Sequence, residues 1–125
     1  MQKEKLNKLY NKYKIKDNLI IGRVVRKTIR YIERNIDNFP NNFIVLKSRI
    51  IECCYDILEY TYRANIFQDL DSKKEIIVKI GMLNFYLDEA LNKKLISKKK
   101  FESYINHIME IDKMIRSWLS YEKKE

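Results

Sequence analysis

Arg23, Arg26, Lys27, Arg30 and Arg34 fall in the stretch GRVVRKTIRYIER, and their spacing suits the binding of phosphate. On a helix that turns about 100° per residue, with Val25 at zero, these five cations lie at about 100° to 200°. Ile21, Val25, Ile29, Ile32 and Ile36 lie within roughly 40° of zero, so the segment is an amphipathic helix with an almost purely basic back. Guanidinium groups make planar, forked bonds to phosphate oxygens, and four arginines at one-turn intervals over about 16 Å can follow a phosphate backbone. Such a row reads base edges poorly, so it predicts binding that is tight at low salt and weakly selective. Tyr31 borders the stripe, where a stacking platform for single strands and a packing role are both open.

A second basic cluster lies in NKKLISKKK, where Lys93, Lys94, Lys98, Lys99 and Lys100 crowd one turn. Lysines at turns serve as ligand contacts or as solubilising charge, and Lys98, Lys99 and Lys100 are carried forward as auxiliary contacts. Enzymatic constellations are nearly absent. His107 is the single histidine and no CxxC, HExxH or paired-carboxylate helix motif accompanies it, so no metal or other cofactor is expected. Cys53 falls among Ile50 and Ile57 and reads as a small core hydrophobe, and neither Gly22 nor Gly81 lies in a phosphate-binding loop. Gly81 interrupts a helical run, which predicts close helix packing there. The chain is not expected to be an enzyme.

Positioning the stripe falls to a chain of 125 residues, 46% hydrophobic and 34% charged, with two glycines and one proline. That composition suits one all-α domain of long helices and short turns. The net charge of +9 is uneven: residues 1–34 hold eleven Lys or Arg against Glu4, Asp17 and Glu33, whereas residues 35–125 are almost balanced. The asymmetry favours a polyanionic partner, although an AT-rich genome also enriches Lys, Ile, Asn and Tyr. No apolar run reaches the roughly 18 residues a membrane span needs, and MQKEKLNKLYNKYKIK has no signal-peptide core. Cys53 and Cys54 are adjacent and diverge by about 100°, so they cannot staple distant segments. A cytoplasmic protein with reduced thiols and no membrane association is expected.

Four helices follow from the pattern. Residues 1–16 form a basic arm or weak helix, and Asp17 or Asn18 can cap a first main helix that Pro40 stops after about Asn38. Leu46, Ile50, Cys53, Ile57, Thr61 and Ala64 set the seam of the second. Ser72 and Glu75 make a capping box for the third, with Ile76, Ile80, Leu83, Leu87 and Leu91 inward and an end near Lys94. Ser97 caps the fourth, which carries Phe101, Tyr104, Ile108, Ile111, Ile115 and either Trp118 or Leu119. Short connections predict an up-down-up-down antiparallel four-helix bundle over 17–121, with a charged tail at 122–125. Tyr55, Tyr62, Phe85 and other flanking apolar groups predict a further subunit contact.

The order IDNFP, LKSRIIECCYDILEYTYRAN, LNFYLDEALNKKLIS and MEIDKMIRSWL resembles the accessory variability determinant (Avd) proteins of diversity-generating retroelements. The resemblance runs from about Arg26 to Leu119 and rests on Phe39-Pro40, Ala64-Asn65 and Trp118 in their order and spacing. It implies a basic four-helix bundle assembled into a homopentameric barrel, which binds template RNA or DNA and partners a reverse transcriptase during mutagenic copying. Related bundles encoded in ribosomal-RNA intervening sequences share fold and pentamer, but their Asn-Ile-Ala-Glu-Gly segment is missing here. The chain departs from the Avd pattern at Asn84 and Asp88, where arginines are common, and at Asp112 and Arg116, where glycines are. Set beside the excess of positive charge in residues 1–34, that departure leads to the expectation that the basic contacts lie on the first helix. The alternative is a structural oligomer that binds a protein and whose basic face only solubilises it.

Overall fold

The computed structural model describes Lys5 and residues 20–123. The arm expected over 1–16, apart from Lys5, and the cap expected at Asp17 or Asn18 lie outside the described residues. Those residues are all-helical, with no strand among them: α1 (Ile20–Ile36), α2 (Ile44–Phe67), α3 (Leu70–Asn92) and α4 (Lys98–Lys123), with a 3-10 turn at Asn41–Phe43 before α2. Each helix touches its neighbours in sequence and α1 also touches α4, while α1 with α3 and α2 with α4 make no such contact. The four seams meet in one core.

That core follows the apolar spacing. Ile21, Val25, Ile29, Ile32 and Ile36 of α1 are buried, as are Ile50, Cys53, Cys54 and Ile57 of α2. Ile76, Ile80, Leu83, Leu87 and Ala90 of α3 meet Tyr104, Ile108, Ile111 and Ile115 of α4. Leu46, Leu91, Phe101, Trp118 and Leu119 pack at the edge, half-buried. Thr61 is fully buried and satisfies its hydroxyl by donating to the Ile57 carbonyl at 2.7 Å.

The ends of the helices show where local chemistry decided. Phe39 tucks into the core beside Pro40 and its N–H donates to the Ile36 carbonyl, closing α1 at the expected place. The expected Ser72 cap is corrected. Asp69 is the N-cap of α3, accepting from the Asp71 N–H at 3.0 Å and from the Ser72 hydroxyl at 2.6 Å, so the helix starts one turn earlier. The Ser72 bond holds the Asp69 carboxyl below its usual range. Residue Ser97 caps α4 as expected, accepting from the Lys100 N–H. The last helix continues to Lys123, past the boundary expected at 121.

Helix α3 ends in a hydrogen-bonded reversal. Lys94 adopts φ 60°, its N–H donates to the Leu91 carbonyl, and the Leu95 N–H donates to the Ala90 carbonyl. This is a Schellman motif with lysine where glycine is favoured. Gly81 is a second correction: it faces outward, and a Cβ there would meet nothing within 4 Å. Among the described residues it brings no two helices together.

Candidate nucleic-acid interface

Burial of its isoleucine seam turns the opposite face of α1 outward. Arg23, Lys27, Arg30 and Arg34 are exposed and Arg26 is half-buried, so all five cations lie on the predicted back. Arg23 and Arg26 have partners of their own. Among the described residues, no carboxylate ion-pairs with Lys27, Arg30 or Arg34, because the ion pairs lie elsewhere: Lys47–Asp37, Arg49–Glu52, Arg63–Glu59, Lys79–Asp56, Lys93–Glu89 and Arg116–Asp112. Three cations of the stripe are thus turned to solvent without a neutralising partner among the described residues.

The structure also joins the stripe to the lysine turn. Lys98, Lys99 and Lys100 are exposed and form the first turn of α4, and the Lys100 ammonium donates to the Asn35 side chain, next to Arg34. Three lysines in the first turn oppose the helix dipole of α4, which favours acids there. The Asn35 contact brings the carbonyl end of α1 to Lys100 at the start of α4, and a cation is favoured at that end of a helix. The other two lysines differ in state: Lys93 is drawn to Glu89 at 2.8 Å, whereas Lys94 occupies the left-handed reversal.

Two tyrosines border the stripe. Tyr31, on the α4 side, shares a 2.8 Å hydrogen bond with the Ser103 hydroxyl. Its ring meets Tyr104 edge-on at 5.4 Å and lies 4.8 Å from the His107 ring, which favours the packing role over the stacking one. His107 is held by Nδ1 at 2.7 Å from the Ser103 carbonyl, an acceptor only, so Nδ1 carries a hydrogen. Tyr55, on the α2 side, donates its hydroxyl to Glu33 at 3.0 Å and leaves its ring exposed. In sequence Tyr55 is one of several flanking apolar groups; its link to α1 depends on the register between two helices.

A groove of about 140 Å³ between α2 and α3 is lined by Arg49, Glu52, Asp56 and Lys79, whose charges pair with one another. Cys53 opens onto it and donates its thiol to the Lys79 carbonyl at 3.0 Å. Burial raises this thiol from an ordinary 9.0 to about 11, and burial likewise raises Cys54. Protonated thiols are poor nucleophiles at neutral pH, in keeping with a packing role. Both cysteines are free. Among the described residues, no group of three or more His, Cys, Asp or Glu is arranged to hold a metal ion, and no helix is long and apolar enough to cross a membrane.

No family model matches the chain, and no curated protein matches it in sequence. The functional reading therefore rests on the geometry of the basic face.

The buried thiols carry a pH prediction. Both folded-state values lie above the unfolded one, so the stability the thiols contribute is complete below pH 9.0; the Cys53 contribution is lost as pH rises toward about 11. Thermal melts between pH 8 and 11 should show the Cys53→Ala variant losing less stability than the parent over that interval. An identical decline in both would remove Cys53 as a cause.

Proposed function

We propose that this chain is a non-catalytic, nucleic-acid-binding accessory protein of the Avd type, which partners a reverse transcriptase in the mutagenic retrohoming of a diversity-generating retroelement. One observation supports the binding: Lys27, Arg30 and Arg34 face solvent, are ion-paired to no carboxylate among the described residues, and run on into Lys98, Lys99 and Lys100 at one end of the helices. Arg23 and Arg26 extend the row toward the other end. Phosphates of template RNA or DNA lie along it, held by charge and forked hydrogen bonds with little base selectivity. No catalytic step is assigned to the chain, and its place of action is the cytoplasm.

The proposed architecture is an up-down-up-down bundle assembled into a homopentameric barrel. Asp37 meets Lys47 while Glu33 meets Tyr55, and Asn35 meets Lys100 while Tyr31 meets Ser103. Both pairings run in opposite senses along the chain, which supports antiparallel neighbours. Exposed Val78, Met82 and Phe85 form an outward stripe on α3, with Gly81 among them, and this apolar surface supports self-association. The same stripe favours the second reading, an oligomeric scaffold of the ribosomal-RNA intervening-sequence type that binds a protein partner.

Fluorescence anisotropy of labelled RNA across salt concentrations separates the two. Neutralisation of about five phosphates per protomer gives a log–log salt slope of roughly −3.5 to −4.5. A protein-binding scaffold would show little RNA retention even at about 50 mM salt, and that result would overturn the nucleic-acid reading.

A further inference from the structure

The two flanks of the basic stripe are unequal. On the α4 flank the Tyr31 ring is used within the fold, between Tyr104 and His107, with its hydroxyl on Ser103. On the α2 flank Tyr55 is 47% exposed, although its hydroxyl is anchored to Glu33 of α1. Glu33 lies one residue before Arg34 and about 4.5 Å of helix rise beyond Arg30. The anchor therefore holds an open aromatic ring against α1, the helix that carries Arg30 and Arg34.

We propose that Tyr55 is a base-stacking residue, and that this face selects single-stranded nucleic acid over duplex. The proposal rests on the basic face being the nucleic-acid site. Phosphates of one strand lie on Arg30 and Arg34 while a neighbouring base turns onto the Tyr55 ring. A duplex keeps its bases stacked inside and can offer only its phosphates, whereas a single strand offers both groups. Because every base has a π-face, the selection is for strandedness rather than sequence.

Glu33 has a defined place in this arrangement. A lone carboxylate in a cationic row repels phosphate, yet here it accepts the Tyr55 hydroxyl and keeps the ring from sampling other rotamers. The same bond raises the Tyr55 hydroxyl above its ordinary value, so it stays protonated and donating. Ordering of the ring is completed in the folded protein rather than on binding.

The test measures anisotropy of labelled oligouridine of about 12 nucleotides and of a duplex of matched length, at about 0.1 M salt. Oligouridine binds more tightly to the parent protein; Tyr55→Ala weakens it about tenfold and leaves duplex affinity within about twofold. Tyr55→Phe keeps the ring and stays within about threefold of the parent. Equal affinity for both strand forms, with Tyr55→Ala silent, overturns the stacking role and leaves the basic face standing. Equal losses for strand and duplex assign Tyr55 a purely structural part and overturn it too. Binding of neither form removes both readings.

Discussion

Replacing Lys27, Arg30 and Arg34 together by glutamate should severely weaken RNA binding at about 0.1 M salt and leave the helical circular dichroism signal unchanged. All three side chains are exposed and none is ion-paired to a carboxylate among the described residues, so their loss breaks no internal salt bridge. Glutamate is about as good a helix former as lysine or arginine, and a carboxylate at position 34 opposes the α1 dipole by only a few tenths of a kcal/mol. Binding, by contrast, loses three of about five counterion-releasing contacts and gains three repulsions. Affinity should fall by at least about a hundredfold, and any residual binding should show a salt slope near −1 to −2. A folded triple variant that bound RNA like the parent would place the site on another surface.

The Ile32→Ala variant should do the converse. Ile32 lies on the same helix as the stripe but faces the core, where it is fully buried. Removing its branched side chain forfeits transfer free energy and leaves a cavity, for a loss of about 3 kcal/mol and a fall in Tm of roughly 10 °C. Well below that Tm the surviving folded molecules keep the basic face, and RNA affinity should stay within about twofold of the parent. A small change in Tm would mean that α1 is not packed through its isoleucine seam. Together the two variants separate the two faces of one helix, one governing stability and the other affinity.

Much of this arrangement is legible before any coordinates. The isoleucines of α1 recur at helical spacing, and burying them necessarily turns Arg30 and Arg34 outward. The seams of α2 and α3 are legible for the same reason, since a period near 3.6 is imposed by the backbone and not by the partner. Helix starts were less so. Ser72 with Glu75 satisfies a capping pattern in sequence, but Asp69 takes the cap because its carboxylate accepts both the Asp71 N–H and the Ser72 hydroxyl. The end of α3 carries no glycine, and Lys94 takes the left-handed conformation because two backbone hydrogen bonds close around it.

Contacts between helices account for what the sequence hides. Tyr55 reads as one more flanking aromatic until the offset of α2 against α1 brings it to Glu33. Tyr31 could have pointed either way, and Ser103 and His107, more than seventy residues later, settle its direction. Gly81 shows the opposite failure, since a glycine inside a helix suggests close packing although its place on the wheel already lies off the seam of Ile76 and Ile80.

The tie between Lys100 and Asn35 has a kinetic consequence. An ammonium group trailing in solvent must be captured and stilled when a polyanion arrives, whereas this one is already stationed against the end of α1. The two basic clusters then present a single preformed field, and under the proposed function an approaching strand would be steered by it without waiting for side chains to assemble. Encounter should accordingly be rapid and sensitive to ionic strength, with the lifetime of the complex governed by the arginines further along the row.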